Sequence, residues 1–504
     1  MRVNVWNFLA DAVASTPRRD ALRSGDRALS FAQAAGRARA LAAELRARDV
    51  RPGDRVAVLM HNDIEHLIAY FGVAAAGATL VSLNTRLTAA EQGEILRHSG
   101  ARCIVHDGHH AARAAELRPP AFVVPDEGLR ELDLSLAGAD DPAQLYYTSG
   151  TTGAPKGVIL THRNVVTHAR TAIAELDLTE RDTWAHIAPM FHLADAWATF
   201  AITAVGGAHV FLPQFSPQAA LDLLRDERVT ITNLVPTMLN LMVKQPGAAE
   251  RDYALRAMLS GGAPIAPDVV RRILTTFRCD YVQTYGMTET SPYLTLGLLP
   301  EELQRLPLEQ QLRWKCKTGR AFRGVELRVV DADGRDVPND GASVGEIRVR
   351  GATVTPGYWR DAEATAAAFD ERGFLRTGDL ATIDEHGFFD IVDRLKDVIK
   401  TGAETVYSIE VENVLFEHPA VLECAVVGVP DATWGERVVA AVVLRPGQVA
   451  TADELIAFCK QRIAGYKAPK QVFFRDSLPR TGSGKVQKRA LREECAPDAH
   501  PPSR

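Results

Sequence analysis

A chain of 504 residues is long enough for about three domain-sized units and a large core. Its 58 basic and 63 acidic residues leave a net charge of −5, which excludes the basic bias that nucleic-acid binding needs. The cysteines Cys103, Cys279, Cys316, Cys424, Cys459 and Cys495 are dispersed, with no Cys-x-x-Cys pair, which argues for a reducing, cytoplasmic setting and against a disulfide frame or a zinc–thiolate site. The segment from Met1 to Ala10 carries no signal-peptide apolar core.

The spacing from Val5 to Ala14 is helical. Arg27 to Phe31 reads as a strand that runs into an N-cap at Ser30 with Gln33 three residues on. The helix that follows extends to about Arg48, and Pro52-Gly53-Asp54 turns the chain into a strand over Arg55 to Met60. The apolar run Leu67 to Leu83 is barely long enough to span a membrane. Gly72, Gly77, Thr79 and Ser82 within it favour a buried helix, a turn at Gly77 and a strand, so no integral membrane segment is expected. Strand and helix alternate onward to Cys103-Ile104-Val105, which implies parallel α/β layers. His106-Asp107-Gly108-His109-His110 invites a metal reading, but the spacing within the segment fits no helix face, and a solvated loop is the expectation.

The densest chemistry lies in Tyr146-Tyr147-Thr148-Ser149-Gly150-Thr151-Thr152-Gly153-Ala154-Pro155-Lys156-Gly157-Val158. Glycines let backbone N–H groups approach an anion, hydroxyls add donors, and Lys156 adds a mobile charge. Set between two short strands, this is a loop for phosphates. It is not a Walker A loop, because Pro155 and Gly157 stand where a glycine and a Ser/Thr are required. Further strands are expected over Ala208 to Leu212 and Val229 to Leu234. Two more strands end in turns, at Gly261-Gly262-Ala263 and at Tyr285-Gly286-Met287-Thr288-Glu289. Ligands of open α/β sheets bind at such strand ends.

From about Gly319 short strands and turns indicate a β subdomain, with Asp331-Ala332-Asp333-Gly334 as a hairpin turn rather than a calcium loop. Thr377-Gly378-Asp379-Leu380 and Asp393-Arg394-Leu395-Lys396-Asp397 read as polar turns between apolar strands. The last hundred residues form a small α+β unit that carries Gly482-Ser483-Gly484-Lys485. A disordered tail is expected after about Glu494.

Five ordered motifs, Tyr146–Val158, Pro189–His192, Tyr285–Glu289, Thr377–Leu380 with Asp393–Lys400, and Arg480–Lys488, resemble the adenylate-forming superfamily of acyl-CoA synthetases, peptide-synthetase adenylation domains and firefly-type luciferases. The resemblance covers about residues 5 to 492. It implies an α/β N-terminal AMP-binding domain of layered subdomains plus a β subdomain over 1–395, and a mobile α+β lid over 396–504. It also implies an acid–CoA ligase for an apolar fatty or aromatic acid that uses ATP, Mg2+ and coenzyme A, as monomer or homodimer. Two alternatives stay open: loading of a carrier protein, and a nucleotide-binding protein that has lost catalysis.

The same resemblance assigns residues. Thr148, Ser149, Gly150, Thr151, Thr152, Gly153 and Lys156 would hold the β- and γ-phosphates, with Thr152 and Glu289 toward the metal. Tyr285 and Gly286, with the backbone of Gly261, Gly262 and Ala263, would flank adenine. Thr288 would meet the α-phosphate, Asp379 the ribose hydroxyls, and Arg394 the ribose or phosphate. Lys485 would reach the charge between carboxylate and α-phosphate. Lys396 takes the hinge position, and Lys400, Gly402, Ala403 and Glu404 line the CoA path. His192, at the junction of acyl pocket and nucleotide, would join Lys485, Thr288 and Glu289 in catalysis, and with Ala196, Val235, Pro236, Gly262, Gly286, Pro292 and Tyr293 it would wall the acyl pocket.

Two features depart from the family pattern. Gly402-Ala403-Glu404-Thr405 stands where many relatives have Gly-Gly-Glu-Asn. Asp195, after His192, either faces the acyl pocket or supports the helix behind it.

Overall fold

The structure, a computed structural model, describes residues 3–126, 134, 137–149, 155–263, 265–402, 404–480 and 486–496. It divides into two compact units. The first takes Met1–Leu327, Val349–Leu375 and His386–Phe389, and the second takes Arg328–Arg348, Arg376–Glu385 and Asp390–Arg504.

In the first unit, a hairpin of β1 (Asp20–Ser24) and β2 (Arg27–Ser30) precedes helix Phe31–Ala47. The Ser30 hydroxyl accepts from the Gln33 amide, and the Gln33 side chain accepts from the Ser30 amide. The expected capping box is therefore present. Next come β3 (Arg55–Leu59), β4 (Thr79–Ser82), β5 (Ala101–His106), β6 (Ala121–Val123), β7 (Pro142–Ser149) and β8 (Pro155–Thr161). They form one sheet of order β6-β5-β3-β4-β7-β8, parallel except for β8. Leu67–Leu83 resolves as expected into helix Ile64–Ala75, a turn and β4, and among the described residues no helix is long and apolar enough to cross a membrane.

The second sheet takes β9 (Thr183–His186), β10 (Ala208–Phe211), β11 (Ile231–Asn233), β12 (Ala257–Gly261), β13 (Asp280–Gly286), β14 (Tyr293–Leu296) and β15 (Arg320–Ala321), in the order β15-β14-β13-β12-β11-β9-β10-β1-β2. Alternation along each strand sends side chains to opposite faces. Val56 and Val58 of β3 join a central core with Phe31, Phe71, Trp197 and Phe200, while Ala57 and Leu59 join an outer core with Ile95 and Leu96. Helices Phe31–Ala47, Ile64–Ala75 and Leu193–Ala204 thus lie between two sheets, with further helices on each outer face. The layered α/β expectation is borne out.

The second unit holds half of β16 (Val325–Val330) and most residues of β17 (Gly345–Gly351), β18 (Leu375–Ile383) and β19 (Phe389–Arg394), which pair in that order. It also holds a sheet of β20 (Ile399–Thr401), β21 (Glu404–Val406), β22 (Val421–Asp431), β23 (Gly435–Leu444) and β24 (Gln471–Phe474), packed against helices Ser408–Phe416, Ala452–Lys460 and Lys488–Cys495.

Three expectations are corrected. Thr377–Leu380 is not a turn but lies inside β18, where the Thr377 hydroxyl donates to the Ile347 carbonyl and the Gly378 amide to Glu346, so strand neighbours satisfy its polar groups. Asp393 and Arg394 likewise end β19, and only Leu395–Asp397 turns, as one 3₁₀ turn. His106–His110 is not an open loop either. His106 ends β5, and Asp107 caps a 3₁₀ turn over Gly108–His110.

Burial pulls the pKa of His66 and His162 down to about 4 and that of His168 to about 3, from an ordinary 6.5. These rings are neutral in the fold, whereas the unfolded chain protonates them below about pH 6.5. The unfolded state then binds more protons, so stability falls as pH drops from that value toward the folded pKa values. At pH 5 each ring costs about 2 kcal/mol relative to pH 7. The urea midpoint should fall between pH 7 and pH 5, and His168→Gln should remove about one histidine's share of that dependence.

Candidate active site

The phosphate-loop candidate begins at the carboxyl end of β7, at the same edge of the sheet as the ends of β3, β4 and β5. Gly150, Thr151, Thr152 and Gly153 lie outside the described residues, as does the side chain of Ser149. The two flanks of the loop are on view. Thr148 pairs with Lys156 and Tyr147 with Gly157 across the β7–β8 ladder. Below them the Tyr146 and Tyr70 hydroxyls lie 2.8 Å apart, and Tyr70 donates to the Met190 carbonyl at 2.7 Å. The loop base is thereby tied to the segment that leads into His192.

A segment that the sequence did not single out, Thr355 to Trp359, runs beside this loop. The Trp359 amide donates to the Gly157 carbonyl at 2.7 Å, and the Ile159 amide donates to the Gly357 carbonyl at 3.1 Å. The Thr355 amide donates to the Glu289 carbonyl at 2.7 Å. The Tyr358 hydroxyl donates to Glu289 Oε1 at 3.0 Å, and Lys156 Nζ stands 5.2 Å from the centre of the Tyr358 ring. One tyrosine therefore meets both the loop lysine and the buried Glu289 carboxylate. Burial, and then the Glu289 charge, push the Tyr358 pKa above its ordinary value, so the phenol keeps the proton that it donates. Its only signal in the sequence is the aromatic pair Tyr358-Trp359 after Pro356-Gly357.

Glu289 sits in a 3₁₀ turn, Thr288–Thr290, just past the end of β13. Gly286 must be glycine, because a Cβ there would stand 2.0 Å from the Pro292 carbonyl oxygen. The same holds for Gly261 at the end of β12, where a Cβ would fall 2.3 Å from Thr284 Oγ1. Close backbone approach thus brings the Gly261–Ala263 and Tyr285–Glu289 turns side by side, and Gln283 Nε2 donates to the Ala263 carbonyl at 3.1 Å. Tyr285 is half-buried and Gly286 exposed beside it.

The acyl-pocket candidates gather at the start of helix Leu193–Ala204. His192 is its N-cap residue. Asn233 Nδ2 donates to the Ala194 carbonyl at 2.7 Å, which brings Val235 and Pro236 to the same helix end. Ala196 is fully buried. Tyr293 packs into the aromatic core, 5.1 Å from Trp197 and 5.3 Å from His168 between ring centres, with Pro292 buried ahead of it. Asn62 is a further residue that sequence reasoning missed. Its Nδ2 donates to the His186 and Ala188 carbonyls at 2.9 and 2.8 Å, and its Oδ1 accepts from the Met190 amide at 2.8 Å, so it shapes the run into His192.

Asp195 supports its helix. Trp184 Nε1 donates to Oδ1 at 3.2 Å, and His186 Nδ1 lies 2.5 Å from Oδ2. The chain continues from His186 Nε2 to His209 Nδ1 at 3.0 Å and from His209 Nε2 to the Thr203 hydroxyl at 3.1 Å. All of it is buried.

In the second unit, Asp379 is a buried residue of β18. Its Oδ1 faces Arg394 Nε at 3.2 Å, and its amide donates to the Thr377 hydroxyl at 3.1 Å. Lys396 is exposed in the 3₁₀ turn that follows, where burial of its stem and then Arg394 lower its pKa. The buried Asp393 carboxylate accepts from the Ser408 amide, and from the Ser408 hydroxyl at 2.9 Å. Lys488 Nζ reaches that hydroxyl at 2.6 Å and Glu412 at 2.7 Å. Lys485 lies outside the described residues, but the ends of its segment meet in an Arg480–Val486 bridge. Lys400 Nζ donates to the Thr405 hydroxyl at 2.7 Å, and the Gly402 amide donates to the Trp434 carbonyl at 2.6 Å. The half-exposed Trp434 ring lies beside Gly402, 3.2 Å from where a Cβ on that glycine would stand. Ala403 lies outside the described residues.

Layered sheets with polar turns at their carboxyl edges, followed by a small α+β unit, are the architecture of the adenylate-forming enzymes. The AMP-binding enzyme family model matches residues 9–359, and the model of the AMP-binding enzyme C-terminal domain matches 410–485. The chain belongs to this family and is an AMP-forming acid–thiol ligase, of the class that works with ATP, magnesium and coenzyme A.

It is 38% identical to a long-chain-fatty-acid–CoA ligase of Thermus thermophilus over 98% of this chain and 95% of that one. It is 40% identical to a feruloyl-CoA synthase of Amycolatopsis over 95% and 96%. An o-succinylbenzoate CoA synthetase of Bacillus subtilis, solved with its acyl-adenylate intermediate, superposes with a TM-score of 0.87 at 32% identity, covering 96% of this chain and 98% of that one.

Asp195→Ala strands a buried imidazole and an indole N–H, and should cost about 3–5 kcal/mol in chemical denaturation. Asp195→Asn should cost less and leave the preference among carboxylic acids unchanged. A changed preference would place Asp195 in the pocket.

Proposed function

We propose that this protein activates an apolar carboxylic acid, fatty or aromatic, as its acyl-adenylate with release of pyrophosphate, and then passes the acyl group to coenzyme A. The observation that carries this reading is the cluster of Glu289, Tyr358 and Lys156, which sets a buried carboxylate beside the base of a glycine- and hydroxyl-rich loop. The relatives named for fatty and feruloyl substrates support the acid class.

The first half-reaction needs no general base, because a carboxylic acid is already ionised near neutral pH. It needs positioning in line with the leaving group and neutralisation of charge. Thr148, Ser149, Thr151 and Thr152 hold pyrophosphate, and Lys156, braced on Tyr358, adds a charge that stays within reach. Tyr285 and the Gly261–Ala263 backbone flank adenine. Thr288 meets the α-phosphate. Asp379, its carboxylate oriented by Arg394, accepts the ribose hydroxyls. A hard, buried carboxylate such as Glu289 fits Mg2+, and the ion, when bound, neutralises phosphate oxygens. Lys485 stabilises the charge that develops as the acid's oxygen bonds to phosphorus.

For the second half-reaction, rotation about Lys396 replaces the Lys485 face with the Lys400–Glu404 face, and the thiol of CoA displaces AMP. The boundary proposed for this motion is at residues 395 and 396. His192, Ala196, Val235, Pro236, Gly286, Pro292 and Tyr293 shape the acid site, and buried Tyr293 sets its depth.

A panel of carboxylic acids assayed for pyrophosphate release, with and without CoA, tests the reading. Apolar acids should release pyrophosphate and yield thioester only with CoA, and no release with any acid would sink it. Lys485→Ala should lose pyrophosphate release yet keep thioester formation from supplied acyl-adenylate, whereas equal loss of both contradicts the two-face scheme. Tyr358→Phe keeps the ring under Lys156 but removes the donor to Glu289. Pyrophosphate release should drop by about tenfold or more, with the KM for the acid little changed.

A further inference from the structure

At the carboxyl edge of the first sheet stands a group that the proposed chemistry does not use. β3 and β5 are parallel neighbours in register, with Leu59 opposite His106. Just beyond them His61, Asp107 and His110 converge, one ligand atom from each within 4.8 Å of the others. Their sequence spacing hid this, because the third donor comes from a different strand end, 46 residues before Asp107.

The group is built rather than incidental. The His61 amide donates to Asp107 Oδ2 at 2.7 Å, and the His110 amide donates to Oδ1 at 2.9 Å, so backbone geometry holds the carboxylate between the two imidazoles. His110 Nδ1 lies 2.7 Å from Asp107 Oδ1, and His61 Nδ1 lies 3.7 Å from Oδ2. His61 Nδ1 is shielded from solvent and has no hydrogen-bond partner, which is a cost that a bound ligand would remove. The exposed His109 ring sits 5.3 Å from His61 and can supply a fourth donor, as can water.

We propose that His61, Asp107 and His110 bind a divalent transition cation of the zinc type. Two imidazoles and one carboxylate suit Zn2+, Co2+ or Ni2+, and do not suit Mg2+ or Ca2+, which take oxygen donors. In a tetrahedral zinc site with bonds of about 2.0–2.1 Å the donors stand roughly 3.4 Å apart, so on binding the His110–Asp107 pair at 2.7 Å opens and the His61–Asp107 pair at 3.7 Å tightens slightly. Each Asp107 oxygen carries two lone pairs and can accept a metal while keeping its amide.

The ion would do more than brace a surface. Asn62, the residue after His61, grips the His186 and Ala188 carbonyls and the Met190 amide, on the run that ends at His192. Metal at His61 therefore restrains the approach to the acyl pocket. This site is separate from the magnesium ligand Glu289, which follows β13 in the other sheet.

The test uses the full chain, stripped with a chelator and dialysed. Zn2+ is titrated in competition with a chromogenic chelator, and Co2+ is followed by its visible absorption. Wild type should bind one ion per chain, and Zn2+ should raise its melting temperature. His61→Gln and His110→Gln, each placed on a different segment, should weaken binding by about tenfold or more and abolish the thermal shift. Far-UV circular dichroism, and thioester formation with excess Mg2+ and no added Zn2+, report whether each variant is folded, and one folded variant suffices. No stoichiometric binding by wild type overturns the proposal, as does equal binding by wild type and a folded variant.

Discussion

The Thr355 amide donates to the Glu289 carbonyl at 2.7 Å, while the Thr355 hydroxyl donates to the Ile159 carbonyl at 2.6 Å. That single residue links the turn after β13 to the strand that leaves the phosphate loop. Two sheets with separate registers meet there, and neither ladder alone fixes the distance between their ends. Tyr358 and Trp359 extend the link to the Glu289 carboxylate and the Gly157 carbonyl. Phosphate chemistry depends on placing charge, and placement to a fraction of an ångström needs this kind of cross-bracing.

Buried charge follows one logic in both units. Asp195 is held by Trp184 and His186, and Asp393 by Ser408 with Lys488 and Glu412 adjoining. Such groups are expensive to bury and costly to strand, so they add little net stability but strongly penalise displacement of the elements they join. The first sets the helix that starts after His192. The second joins the end of β19, which precedes Lys396, to the helix that follows the Lys485 segment.

Much of this was legible without coordinates. Local patterns announced the Ser30–Gln33 cap, the β3 strand, the split of Leu67–Leu83 and the polar turns at the ends of β12 and β13, because each depends on near neighbours in the chain. Reading Thr377–Leu380 as a turn failed because polar residues in a strand look like a turn until their partners, Ile347 and Glu346, are known. Asn62 and Trp434 carry no local signature, and Tyr358 only its place in an aromatic pair after Pro356-Gly357. Each matters through a partner that lies 69, 128 or 32 positions away.

Periodicity and composition are properties of the chain, and they carry the alternation of strands and helices, the glycine-rich loop with its hydroxyls and lysine, and the ordered motifs that mark the family. Folding alone turns Asp195 inward to Trp184 and His186, joins Lys156 to Glu289 through Tyr358, and brings His61 to Asp107 and His110. Those outcomes depend on which strands become neighbours. Strand order is set by packing over the whole core, and no stretch of sequence encodes it locally.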